Sequence, residues 1–171
     1  CGAKLIYENG YSSTGIKEIL EAADIPKGSF YHYFRSKDDF GLQVVDYYIK
    51  YINEMVKRKL TKPGLTPVQR VKHFFDGYLE WYENNDTHYY GCPIGNLALE
   101  MSAVNEDFRK KLDNSLKEIS GMIEDCLIEE LESRQQKDKS KAKTLSTFLL
   151  NSWEGAMLAV KASRSAEPLR V

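Results

Sequence analysis

Residues 25–37 read IPKGSFYHYFRSK, and their types suit contact with a large anion better than catalysis. Lys27, Arg35 and Lys37 carry three full positive charges, and no acid lies between Ile25 and Lys37. Tyr31 and Tyr33 offer hydroxyls to phosphate oxygens and ring faces to apolar groups such as a thymine methyl. His32 can meet a base edge, and Gly28, without a Cβ, lets a bulky partner approach the backbone. Ser36 is a helix cap with Lys37 in the first turn, so free N–H groups and an ammonium converge where a phosphate would sit. A second chemistry lies at Cys92. Pro93 suits a first helical position, which would set the sulfur at a helix N-terminus where partial positive charge favours thiolate. His88, four residues earlier, would add to that effect when protonated. A thiolate is the species that electrophiles and oxidants attack.

The elements that position these groups all repeat at helical spacing. Thr14 is read as the cap of a short helix running to about Ala23, with Ile16, Ile19 and Leu20 inward. DIP (24–26) turns the chain, and a second short helix starts near Pro26 or Lys27. On that helix Phe30 and Phe34 share one side and, with Ile25, anchor it. Gly28, Tyr31, His32 and Arg35 share the other. Two short helices joined by a tight turn form a helix-turn-helix pattern.

The remaining segments are longer. Residues 37–60 place Phe40, Val44, Val45, Tyr48, Ile52, Met55 and Val56 on one stripe. Thr66-Pro67 opens a helix over 67–84. A shorter helix carries Ile94, Leu97, Ala98 and Met101, and Asn105 opens a long one. SRQQKDKSK (133–141) is a polar linker before a final helix with Leu145, Phe148, Trp153, Met157 and Val160. No segment alternates with period two, so the fold is read as all-α: an N-terminal helix-turn-helix domain over 1–45 and a C-terminal helical bundle over 46–171.

Length and composition narrow the function classes. The 171 residues are 42% apolar and 29% charged, as in an ordinary globular domain, with net charge −1. Nucleic-acid contact must therefore rest on local patterning. No apolar run approaches the ~18 residues of a membrane span. Three cysteines without a CxxC pair suggest free thiols in a reducing cytoplasm and give no zinc site. The chain starts at Cys1 in what reads as the middle of a helix, so an upstream piece is expected. No zinc-protease, phosphate-loop, nucleophile-elbow or dinucleotide motif occurs, and no cofactor or catalytic role is expected. Cys126 reads as core. Trp81, Tyr89 and Tyr90, with Tyr78, Tyr82 and Trp153, are candidates for an apolar ligand pocket or for core.

GYSSTGIKEILEAADIPKGSFYHYFRSKDDF (10–40) resembles the DNA-binding segment of the tetracycline-repressor (TetR) family. The shared pattern is Gly-aromatic, a Thr near the cap, Ile, two alanines and a turn. Lys-Gly-Ser-aromatic-Tyr and Ser-Lys-Asp follow. Three positions depart from it: Asp24 for the usual turn glycine, Pro26 for a Ser/Thr cap, and Leu20 for a small residue. The resemblance implies a homodimer whose subunits each carry a three-helix DNA reader and an effector-binding, dimerising bundle. Carried over to matching positions, Thr14, Lys27, Gly28, Tyr31, His32, Tyr33 and Lys37 are the implied DNA contacts. YGCPIGNLALEMSAVNEDFRKKL (90–112) and AVKASRSAEPL (159–169) are similar to segments of the electrophile-responsive repressors of that family, the N-ethylmaleimide reductase repressor group. That second resemblance adds Lys161 as a cation or reaction partner for the Cys92 thiol.

The expectation is a dimeric regulator, most often a repressor in this family. Palindromic operator DNA would be its partner, and a small molecule or an electrophile at Cys92 its release signal. Residues 105–132 and 141–164 are the expected dimer face, with Gly155, Ala156 and Ala159 allowing close approach. Composition alone leaves three alternatives: an ordinary helical hairpin with snorkelling polar tips, a thiol redox protein, and a helical adaptor without DNA affinity. A regulator with a noncovalent apolar ligand, Cys92 being merely buried, is the remaining one.

Overall fold

The computed structural model describes residues 1–84 and 89–170, with only the backbone of Lys27. Among these residues it holds eight α-helices, two short 3-10 turns and no strand. The helices are α1 Gly2–Asn9, α2 Ile16–Ala23, α3 Phe30–Tyr33, α4 Lys37–Leu60, α5 Pro67–Asn84, α6 Pro93–Met101, α7 Glu106–Ser133 and α8 Ser140–Ser163. The chain forms two compact units, residues 1–50 with 93–114, and residues 51–92 with 115–171.

Within the first unit, the helix-turn-helix forms for local reasons. Helix α2 starts at Gly15, whose N–H donates to the Glu18 carboxylate at 2.7 Å. Thr14, expected as this cap, is 0% exposed and turns inward, donating its hydroxyl to the Gly10 carbonyl at 2.7 Å. The turn closes as a paired C-terminal motif: Asp24 N–H to Glu21 O at 3.2 Å and Ile25 N–H to Leu20 O at 3.0 Å. It requires a left-handed residue, and Asp24 adopts φ 53° there. A short polar side chain makes that tolerable, which is how the chain manages without the family's glycine.

The second helix of the motif is shorter than the periodicity implied. It begins as a 3-10 turn over Lys27–Ser29 and is α-helical only over Phe30–Tyr33. Phe34 lies beyond its end in extended conformation, φ −131°. Its ring still faces inward. The rings of Phe30 and Phe34 lie 5.1 Å apart, and Phe40 of α4 stands 5.8 Å and 5.0 Å from them. This three-ring cluster fastens the short helix to α4. Ile25 is 43% exposed and takes no part as an anchor, because the turn swings it outward.

The start of α4 is set by Ser36, whose hydroxyl accepts the Asp39 N–H at 3.1 Å, while Asp39 accepts the Arg35 N–H at 2.9 Å. Helix α7 opens at Asn105, whose Oδ1 accepts the N–H groups of Asp107 and Phe108. Tyr11 ties these starts together. Its hydroxyl donates to Asp38 at 2.5 Å, its ring meets Phe108 edge-on at 5.3 Å, and Asp38 also accepts from Asn105 Nδ2 at 3.1 Å.

In the second unit, α5 opens with a reciprocal cap. Thr66 N–H donates to the Gln69 side chain at 2.9 Å, and Gln69 N–H to the Thr66 hydroxyl at 3.3 Å. The core of this unit is built from Val56, Phe74, Ile119, Ile123, Leu150 and Val160. Cys126 is buried there, donating to the Leu60 carbonyl at 3.5 Å, and burial pushes its thiol pKa up.

Candidate nucleic-acid interface and thiol site

The outward side of the helix-turn-helix carries the expected surface. Tyr31 and Tyr33 are 66% and 71% exposed, and His32 and Arg35 are exposed with them. For tyrosines, such exposure means hydroxyls and ring faces are offered outward. Aromatic edges order the strip: Tyr31 stands at 81° to Phe30, and Tyr33 at 85° to His32. Gly28 is exposed, and a Cβ built on it would meet nothing within 4 Å. Its absent side chain therefore serves no internal packing, and the space in front of it is open to a partner.

Lys37 lies at the edge of this strip, its ammonium 4.6 Å over the centre of the Tyr11 ring. A buried ring under a cation restrains the ammonium without neutralising it. The acids that follow are hydrogen-bonded within the unit: Asp38 accepts from Tyr11 and Asn105 through its two oxygens, and Asp39 Oδ2 accepts from the Arg35 N–H. Burial, then the Asp38 hydrogen bond, raises the Tyr11 pKa, which keeps the phenol a donor to that carboxylate.

Thr14, implied as a DNA contact by the resemblance, does not lie on this surface. With its side chain wholly buried and its hydroxyl donated internally, it acts as a strut under the loop before α2. The side chain of Lys27 lies outside the described residues.

Cys92 is buried and directly precedes Pro93, the first residue of α6. An acid lies against it: the carboxyl of Glu154 on α8 is within hydrogen-bonding reach of its thiol. Burial raises the Glu154 pKa, and the Cys92 hydrogen bond opposes the rise. Lys161 is exposed, two helical turns beyond Glu154 on α8. His88, the other expected cation, lies outside the described residues.

The aromatic candidates form two groups. Tyr78 and Trp153 stand 4.7 Å apart with Phe74 beside both, and the Tyr78 hydroxyl donates to Met55 Sδ at 3.8 Å. Tyr82 is stacked on Tyr89 at 5.4 Å and 11°, with Trp81 edge-on. Trp153 is buried, and its Nε1–H has no partner among the described residues.

Glu154 is the functional candidate that sequence reading passed over. The signal was present, since it lies four residues after Leu150 and three before Met157, beside an otherwise apolar stripe. An acid at such a position needs a partner or a raised pKa.

The comparisons with known proteins agree with this geometry. Residues 2–44 match the family described as bacterial regulatory proteins, tetR family. Residues 67–171 match the C-terminal domain of LmrA/YxaF-like transcriptional regulators. The chain is 32% identical over 168 residues to the HTH-type transcriptional repressor DhaR of Mycobacterium sp. (strain GP1), covering 98% of this chain and 82% of that protein. The crystal structure of a regulatory protein TetR from Rhodobacter sphaeroides superposes with TM-score 0.87 at 34% identity, covering 99% of this chain and 89% of that one. The reduced form of Escherichia coli NemR gives TM-score 0.88 at 28% identity, covering 99% and 87%. Two family matches that together take in both the helix-turn-helix and most of the C-terminal helices, on an all-α fold shared along nearly its whole length, establish that the chain belongs to the TetR family of DNA-binding transcriptional regulators, which are not enzymes.

Proposed function

We propose that the protein is a repressor that binds a palindromic operator as a homodimer and leaves it when an effector acts on the C-terminal bundle. The observation that carries the DNA contact is the outward strip from Gly28 to Lys37, which holds no acid and is followed by Asp38 and Asp39, both hydrogen-bonded within their own unit. Residues 1–45 would read DNA. Tyr31, His32 and Tyr33 would enter the major groove, and Gly28, Lys27 and Lys37 would face the backbone. Residues 46–171 would receive the effector and the partner subunit. Exposed Leu145, Phe148, Ser152 and Gly155 recur at three- and four-residue steps on α8, and Phe148 is 64% exposed, a feature that favours a covering subunit.

In the DNA-competent state the paired α3 helices would stand about 34–36 Å apart, one duplex turn. An effector empties the operator by preferring another spacing by several kcal/mol. Alkylation or oxidation of Cys92 is the proposed signal, with Lys161 and protonated His88 as cations that would favour the reactive thiolate, and the Lys161 amine as a partner that would react with the oxidised sulfur. The similar repressor NemR, whose structure is described as a reduced form, supports a redox-responsive reading. The buried, unpartnered Trp153 Nε1–H favours a second reading, in which a noncovalent ligand bearing a hydrogen-bond acceptor sits beside Tyr78 and Tyr82.

The test is a mobility shift on a palindromic fragment upstream of the protein's own gene, across a salt series, with and without a thiol-reactive electrophile. Salt-dependent binding by a dimer supports the reading, and affinity independent of sequence and salt overturns it. Cys92→Ser is expected to bind as the parent does and to ignore the electrophile. Release of that variant would move the signal to a noncovalent ligand.

A further inference from the structure

Cys92 and Glu154 lie far apart in sequence, yet both belong to the second unit, where the carboxyl is within hydrogen-bonding reach of the thiol. Its Oε1 is buried and has no hydrogen-bond partner among the described residues. On the preceding residue of α8, Trp153 is 7% exposed and its Nε1–H is equally unpartnered. Interiors leave few such atoms, so each is a buried polar group that the described residues do not satisfy.

We propose that Glu154 is the proton acceptor for the Cys92 thiol when that sulfur reacts with a carbon electrophile. This deepens the thiol reading above and rests on it for its biological meaning. A carboxylate beside a thiol has two opposed effects. As a fixed charge it repels the thiolate and slows attack. As a base it takes the thiol proton while the sulfur bonds to carbon, so no free thiolate need form. The geometry favours the second effect, because the carboxyl is placed on the thiol itself and retains an open acceptor atom. Burial raises its basicity, in the direction a general base near neutral pH requires. Burial and Cys92 are the influences on this carboxyl, with no charged neighbour contributing among the described residues.

With an alkyl halide the step balances as follows. The S–H bond breaks and its proton passes to the Glu154 carboxylate. The sulfur pair forms the S–C bond, the carbon–halogen pair leaves as halide, and the carboxylic acid returns its proton to solvent.

The experiment is the rate of Cys92 alkylation by iodoacetamide between pH 5 and 10, read by peptide mass spectrometry, on the whole chain and on Glu154→Gln, with N-acetylcysteine as the free-thiol reference. The parent rate is expected to rise with the carboxyl's ionisation and level off below pH 8, where the reference still climbs toward its thiol pKa near about 8.5. Glu154→Gln is expected to be roughly tenfold or more slower at pH 7 and to lose the plateau. An equal or faster rate in Glu154→Gln would show that the carboxylate only repels the thiolate, and would overturn the proposal. Should the variant fail to fold by circular dichroism, the parent profile decides: a single ionisation above pH 8 overturns the proposal, and an inflection below it supports it. These outcomes are independent of DNA release, so a Cys92→Ser variant that still releases would sink the sensor reading without touching this result.

Discussion

Two glycines inside long helices give a sharp test of the packing described for the DNA-reading unit. By helix propensity alone, Gly41 of α4 and Gly121 of α7 should each gain about 0.8–1 kcal/mol on replacement by alanine. The structure separates them. A Cβ at Gly121 would meet nothing within 4 Å. One at Gly41 would stand 2.4 Å from Tyr11 Cε2 and 2.7 Å from Phe108 Cζ. Tyr11 cannot give way cheaply, since its hydroxyl is bonded to Asp38, its ring abuts Phe108, and Lys37 lies over it. Overpacking of this kind costs about 1–3 kcal/mol, occasionally more. Gly121→Ala should therefore stabilise by about 1 kcal/mol, and Gly41→Ala should destabilise by up to about 2 kcal/mol net of propensity. The gap of about 1–3 kcal/mol corresponds to roughly 0.5–1.5 M in urea midpoint at ordinary slopes. Urea titrations of both variants, followed by tyrosine fluorescence and circular dichroism, measure it. Equal midpoints, or a more stable Gly41→Ala, would refute the claim that Tyr11 is pinned. Because Tyr11 lies under Lys37, Gly41→Ala should also weaken DNA binding while Gly121→Ala leaves it unchanged.

Other outcomes follow from the same contacts. Lys37→Ala should weaken binding to every duplex alike and lower the slope of log affinity against log salt by about one, and an unchanged slope removes Lys37 from the phosphate contacts. Asp24→Gly should stabilise the turn by about 0.5–1 kcal/mol, because φ 53° is strained for any side chain, and no gain in urea midpoint would refute the left-handed assignment. Glu154 has its folded pKa raised above the ordinary 4.5, so the folded state binds the extra proton. Its unfavourable contribution is absent below that pH, grows as pH climbs toward the raised value, and persists above. Glu154→Gln should therefore be more stable than the parent at pH 8, with the difference vanishing as pH falls to the carboxylate range. A difference independent of pH would refute the burial of that carboxyl.

Local rules fixed much of this protein in advance. The stripes of α4 and α5, the Thr66-Pro67 start, the Ser36 and Asn105 caps and the turn at Asp24 depend on neighbours within one or two helical turns, and these are visible in one dimension. The outward face of Gly28, Tyr31 and His32 was legible for the same reason. What failed were residues whose fate depends on distant partners. Thr14 looks like a cap until the Gly10 carbonyl proves the better acceptor for its hydroxyl. Phe34 looks helical until its ring finds Phe40 across the next turn. The thiol environment was decided furthest from the sequence. Lys161 and His88 are named from similarity and proximity along the chain, and folding adds Glu154 of α8 within hydrogen-bonding reach of Cys92. Charge effects act through space and are strengthened by burial, so only the tertiary arrangement shows that a carboxyl from a distant helix reaches that sulfur.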